Sequence, residues 1–68
     1  MATLAEQWEE RGILKGIQDG LSVRFGPSGL HCIPEIQKIR GVERLREVLK
    51  AVFLAPSLED FQKKLQSL

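Results

Sequence analysis

The segment GILKGIQDGL, residues 12–21, places a glycine at every fourth position of a stretch that otherwise has the pattern of an amphipathic helix. A glycine in a helix interior costs about 1 kcal/mol relative to alanine, so three of them give up roughly 3 kcal/mol. That is a large share of the stability available to so small a domain. Residues four apart lie on one side of a helix, and three glycines there leave a smooth strip that another helix backbone can approach closely. We therefore expect the glycine row to be a site of helix packing.

The spacing leaves three interpretations of these glycines open. They could allow close packing between two chains, allow close packing within one chain, or be tolerated in a partly frayed helix. We favour the first interpretation and expect a pairing surface that combines the glycines with the apolar residues around them, namely Leu4, Trp8, Gly12, Ile13, Gly16, Ile17, Gly20 and Leu21. The single tryptophan, Trp8, serves equally well as the anchor of an interface or as part of an intrachain core.

The glycine row belongs to a long helix that we predict over residues 3–25. Thr3 and Glu6 have the spacing of a capping box, which marks the start of a helix. Arg24 near the other end suits the helix macrodipole, and Gly26 followed by proline stops the helix. The charged residues along it exclude a membrane-spanning glycine-packed dimer, which requires an apolar segment of about 20 residues.

Shorter elements follow this helix. Residues 26–33 are rich in helix breakers and predict a loop with an apolar end. Residues 34–54 predict a short helix and then an amphipathic helix with apolar residues up to Phe53, and residues 57–68 predict a C-terminal helix. No strand pattern competes, and because 68 residues leave room for one domain, we expect a single domain over residues 1–68. Its fold class is all-α: a small helical bundle with a long N-terminal Gly-x-x-x-Gly helix and two to three shorter helices, which we expect to be dimeric.

Composition narrows the function classes. The 68 residues include one cysteine, Cys32, and one histidine, His31, so the chain alone offers neither a disulfide framework nor a zinc site with several such ligands. Ten basic and nine acidic residues give a net charge of +1, too little for broad binding to nucleic acid or an anionic membrane. We expect a soluble, cytoplasmic protein.

The inventory of catalytic groups is short, and we expect no catalytic residue, no metal and no cofactor. Glu6, Glu9 and Glu10 could form an acidic metal-binding patch, but charges of this sign are routine at the start of a helix. Cys32 next to a histidine could be a reactive thiol, although a plain buried cysteine is the commoner case. Basic residues between 44 and 50 alternate with glutamates and are typical of a solvated helix face.

Several motifs resemble a known family. Thr-Leu-Ala-Glu-Gln at residues 3–7, followed by the glycine row, resembles the C-terminal tail of the PD-(D/E)XK nuclease family transposases, also called recombination-promoting nucleases. Arg24-Phe25-Gly26, Ile33-Pro34 and Ala-Pro-Ser-Leu-Glu-Asp-Phe at residues 55–61 are also similar to tail segments of related nuclease-like proteins. The family's catalytic domain would lie N-terminal to such a tail, and nothing in this chain matches its metal site.

The resemblance implies a regulatory partner. Members of this family can make a short C-terminal product that associates with the long form and restrains its nuclease activity. We therefore expect a non-catalytic, antitoxin-like oligomerisation module whose partners are itself and a full-length nuclease with the same tail. The rival interpretation is a small DNA-binding accessory domain that uses Arg40, Arg44 and Arg46, and the low net charge argues against it.

Overall fold

The computed structural model describes residues 3–67, and within that range the chain forms five helices and no strand. They are α1 (Leu4–Phe25), α2 (Pro27–Leu30), α3 (Ile33–Ile36), α4 (Val42–Leu54) and α5 (Leu58–Ser67). The predicted all-α fold with a long N-terminal helix is confirmed. The predicted extension of the last helix to Leu68 lies outside the described residues.

The ends of α1 follow from local chemistry. The Glu6 amide donates to the Thr3 side-chain oxygen over 3.1 Å, which is the first bond of the predicted capping box. At the other end the Gly26 amide donates to the Ser22 carbonyl over 3.1 Å. Gly26 has a φ of 67°, a conformation that glycine adopts without the steric penalty of a side chain. Sequence therefore determines both boundaries of the helix.

The segment predicted as a loop contains a helical turn, α2. Proline at its first position is compatible with a helix start because its missing amide hydrogen is not needed there. The turn crosses α1 closely at the buried residue Gly29, where an added Cβ would lie 3.0 Å from the Leu21 carbonyl oxygen and 3.0 Å from the Phe25 Cβ. A glycine at this position lets the chain fold back onto α1.

The core lies between α1 and α4 and is closed by α3 and α5. Residues late in α1 contact residues late in α4, so the two helices run in the same direction, and α2 and α3 form the connection that this arrangement requires. The seven largest fully buried side chains come from four helices: Ile17, Leu21, Ile36, Leu45, Val48, Val52 and Phe61.

Arg24 joins the ends of the two long helices. Its guanidinium donates to the Val52 carbonyl over 2.6 Å and to the Ala55 carbonyl over 2.7 Å. These carbonyls lie at the C-terminal end of α4, where helix carbonyls lack partners within the helix. The guanidinium also lies 4.9 Å from the centre of the Phe25 ring. Arg24 thus caps a neighbouring helix, which is a larger role than the predicted interaction with its own helix dipole.

Between residues 3 and 67 no helix combines the length and the apolar character that crossing a membrane demands.

Candidate functional site

The glycine row is not confined to one face of the folded molecule. An α-helix turns by about 100° per residue, so each step of four residues advances about 40° around the axis. Leu4 and Trp8 continue the four-residue spacing of the glycines, and from Leu4 to Gly20 this extended row winds through about 160°. Its first residues point away from the core, with 68% of Trp8 exposed, whereas Gly20 is buried against α4.

At its C-terminal end the row packs within the chain. A Cβ on Gly20 would lie 2.8 Å from Val52 Cγ1 and 3.4 Å from Phe53 Cζ, and a Cβ on Gly16 would lie 3.7 Å from Leu49 Cδ1. Gly20 thus allows α4 to approach the α1 backbone closely.

This packing corrects part of the predicted pairing surface. Ile17 and Leu21 are fully buried in the core, and Gly20 is covered by α4. Ile13 is partly buried against the same core. The chain's own helices thus cover Ile17, Gly20 and Leu21, which are not available to a second chain, and they cover part of Ile13.

The N-terminal end of the row has the opposite environment. Leu4 is 70% exposed and Trp8 68% exposed, and a Cβ on Gly12 would meet no heavy atom within 4 Å. We call these three residues the Trp8 surface. It combines the chain's largest side chain with an open backbone strip next to it, and the part of the chain that the structure describes leaves it uncovered.

Other exposed hydrophobic side chains were missed at the level of sequence. Phe53 is 60% exposed although its spacing predicts a core position, because its ring lies at the edge of the α1–α4 contact, over Gly20. Val23 on α1 and Leu54 at the end of α4 are 85% and 78% exposed. A helical-wheel plot of α1 alone would have shown Val23 about 160° from the buried Leu21, whereas the exposure of Phe53 depends on tertiary packing.

Two of the three arginines of the rival DNA-binding interpretation lie close to acidic residues of α1. Arg40 lies 3.8 Å from the Glu10 carboxylate, which is buried, and Arg46 lies 4.0 Å from the Glu9 carboxylate. The arginine-rich start of α4 is thus partly neutralised by glutamates on another helix. Arg44 is exposed beside them.

The structure also shows the surroundings of the candidate reactive thiol and of the candidate metal-binding carboxylates. Cys32 is a free, buried thiol whose sulfur accepts a long hydrogen bond of 3.8 Å from the Gln62 side-chain amide. Within residues 3–67 no three side chains of histidine, cysteine, aspartate or glutamate are arranged to share a metal ion.

No family model, curated protein or solved structure matches this chain.

Proposed function

We propose that this chain is a non-catalytic helical oligomerisation module that self-associates through the Trp8 surface. The observation that carries the proposal is the 68% exposure of Trp8 beside the open position of Gly12. Tryptophan residues often dominate the binding energy of protein interfaces. A bundle that leaves its single tryptophan outside the core therefore favours a partner on this side of α1.

The physical reason for self-association is the size of the chain. A domain of 68 residues rarely gains more than about 3–5 kcal/mol from its core, and association with a second copy is a common way to add stability. Covering Leu4 and Trp8 would remove apolar surface from water at about 25 cal/mol per Å². Because the Trp8 surface is small, we expect the association to be weak, with a dissociation constant in the micromolar range.

The experiment is sedimentation equilibrium on the wild-type chain and on two exposed-hydrophobe variants. Trp8→Ser should raise the dimer dissociation constant at least about tenfold. Leu54→Ser is the matched control, because Leu54 is at least as exposed but lies at the far end of α4. A strictly monomeric wild-type chain would contradict self-association, and equal effects of the two variants would contradict the assignment to the Trp8 surface.

We propose further that the same surface binds the matching tail of a longer nuclease in the cytoplasm. The support for this step is the resemblance of residues 3–7 and the glycine row to the tails of recombination-promoting nucleases. A pair made of one short and one long chain would contain one catalytic domain, which would inhibit a nuclease that works as a dimer. The test is whether this reading frame lies in phase within the 3′ end of a longer nuclease gene, and whether the two products co-purify through Trp8.

A further inference from the structure

Two exposed apolar residues outside the Trp8 surface continue it toward the C-terminal end of α1. Val23 is 85% exposed and Phe53 is 60% exposed. At about 100° per residue, Val23 lies within about 20° of Gly12 around the helix axis. The Phe53 ring lies over Gly20, on the side of this line that faces α4. The uncovered apolar face of the molecule is therefore longer than the Trp8 surface alone.

The two edges of this face differ in polarity. The edge toward α4 is apolar, because Phe53 covers Gly20 and the half-buried Leu49 lies against Gly16. We call Leu49 and Phe53 the apolar edge. The opposite edge is polar, and its residues lie about 80–120° from Gly12 around the axis: Arg11, Gln18 and Ser22.

From these edges we infer that a second copy of the chain covers Val23 and Phe53 as well as the Trp8 surface, and that its α1 runs antiparallel to the first. The inference rests on the proposed function and specifies its geometry. In an antiparallel pair the two-fold axis is perpendicular to the helices, so the apolar edge of each copy faces the apolar edge of the other. In a parallel pair the axis runs along the helices, and each apolar edge faces a polar edge. The antiparallel pair therefore removes more apolar surface from water.

One antiparallel register brings the apolar residues together. If Val23 of one copy lies level with the midpoint between Trp8 and Gly12 of the other, it is about 3 Å along the axis from each. The two Leu49 residues, at the level of Gly16, then lie within about 1.5 Å of the same level. Phe53 lies within about 4.5 Å of the level of Leu49 in the other copy, so the apolar edges are in contact range.

The charges at the centre of the face agree with the same register. Lys15 and Asp19 are exposed, and neither forms an ion pair with any residue from 3 to 67. In this register Lys15 of each copy lies within about 1.5 Å of the level of Asp19 in the other, whereas the like charges are about 4.5 Å or more apart along the axis. Arg11 lies level with the uncharged Ser22 of the other copy. In a parallel pair the two Asp19 residues would face each other, which is unfavourable.

The charges at the N-terminal ends of α1 and α4 do not decide the orientation. Arg46 lies 4.0 Å from Glu9 and Arg40 lies 3.8 Å from Glu10, so each arginine offsets a glutamate of its own chain. Arg44 is about 180° around α4 from the apolar edge.

The first test removes the added apolar contacts and measures the dimer dissociation constant by sedimentation equilibrium. Phe53→Ser should raise it at least about fivefold, and so should Val23→Ser. Leu54→Ser is the matched control on the same helix, because Leu54 is 78% exposed but lies about 100° around α4 from Phe53. It should change the constant less than about twofold. Circular dichroism melts below the dissociation constant verify the fold, and Val23→Ser carries the test alone if Phe53→Ser is unstable.

Charge reversal is a test of the orientation. In the antiparallel pair Asp19→Lys makes both Lys15–Asp19 contacts repulsive, and the dissociation constant should rise about fivefold. The double variant Lys15→Asp/Asp19→Lys should return it to within about twofold of the wild-type value. Glu35→Lys on α3 makes the same change of net charge and is the control, with no change expected. In a parallel pair Asp19→Lys would replace one like-charge pair by another and leave the constant unchanged.

A distance measurement gives a further test. Gln7 is exposed and lies about 140° from Gly12 around the axis, so a spin label there stays outside the interface. Labels on Gln7→Cys in a Cys32→Ala background should lie at least about 28 Å apart in the antiparallel pair. In a parallel pair the two labelled positions would lie within about 20 Å of each other.

The outcomes separate the inference from the proposed function. A Trp8-dependent dimer with close labels, or one that is insensitive to both Val23→Ser and Phe53→Ser, would overturn the antiparallel geometry while the proposed function stands. A wild-type chain that stays monomeric at every accessible concentration would contradict both. The expected result is a Trp8-dependent dimer with distant labels that Val23→Ser, Phe53→Ser and Asp19→Lys each weaken.

Discussion

Gly12 and Gly20 stand eight residues apart in the same row of one helix, yet they have opposite environments. A Cβ on Gly12 would meet nothing within 4 Å, whereas a Cβ on Gly20 would lie 2.8 Å from Val52 Cγ1. The helix turns the row away from solvent as it proceeds, and α4 covers only its later part. The comparison teaches that a repeated residue need not have a repeated role: Gly20 lets α4 pack closely on α1, while Gly12 leaves a surface open.

The largest expected effect comes from the buried side of this comparison. Ile17→Ala should destabilise the chain by about 2–5 kcal/mol, because it removes a fully buried side chain and leaves a cavity. A loss of this size approaches the whole stability expected of such a small domain, about 3–5 kcal/mol. Urea denaturation followed by circular dichroism should therefore show a largely unfolded protein at 25 °C. Val23→Ala, an 85% exposed position on the same helix, is the control and should change stability by no more than about 0.5 kcal/mol.

A smaller loss is expected at the covered glycine. Gly20→Ala should cost about 1 kcal/mol net, because the clash with Val52 outweighs the better helix propensity of alanine. Valine is stiff at χ1, and Val52 is fully buried, so it has little room to move away. The midpoint of urea unfolding should fall. A higher midpoint would mean that α1 and α4 can separate at no cost, which would contradict the close approach described above.

The smallest expected effect is a gain at the open glycine. Gly12→Ala should stabilise the chain by up to about 1 kcal/mol, because the methyl group meets open space and the unfolded chain loses freedom. The free energy of unfolding should be measured at low protein concentration, where association does not contribute to it. A Cβ on Gly16 would make an ordinary contact with Leu49 at 3.7 Å, so the change in unfolding free energy for Gly16→Ala should lie between those for Gly12→Ala and Gly20→Ala. Equal changes at all three glycines would remove the distinction between the two ends of the row.

Much of the fold could be predicted from local sequence patterns. The Thr3 cap, the stop at Gly26 and the 3-4 spacing of the apolar residues in α4 each depend on neighbours within one helical turn, and the structure agrees with all three. The single turn α2 was predicted as a loop, because four residues with two breakers carry too short a pattern to indicate a helix.

The candidate site could be predicted only in part from the sequence. The sequence indicated the glycine row, but the division of that row between the core and the Trp8 surface depends on where α4 packs. The same holds for the contact between Arg46 and Glu9, which lie 37 residues apart in the chain, and for the cap that Arg24 provides to α4. Pairs at helical spacing can be read from one segment, whereas contacts between segments require the tertiary arrangement.

By itself, the sequence determined the all-α class, the long first helix and its two boundaries, because helix propensity, capping and periodicity act over a few residues. Only the tertiary structure decided that Ile17, Gly20 and Leu21 belong to the core and that Leu4, Trp8 and Gly12 stay exposed. The physical reason is geometric. A row of residues winds around its helix, and the part that is buried is set by the position and extent of the helix that packs against it.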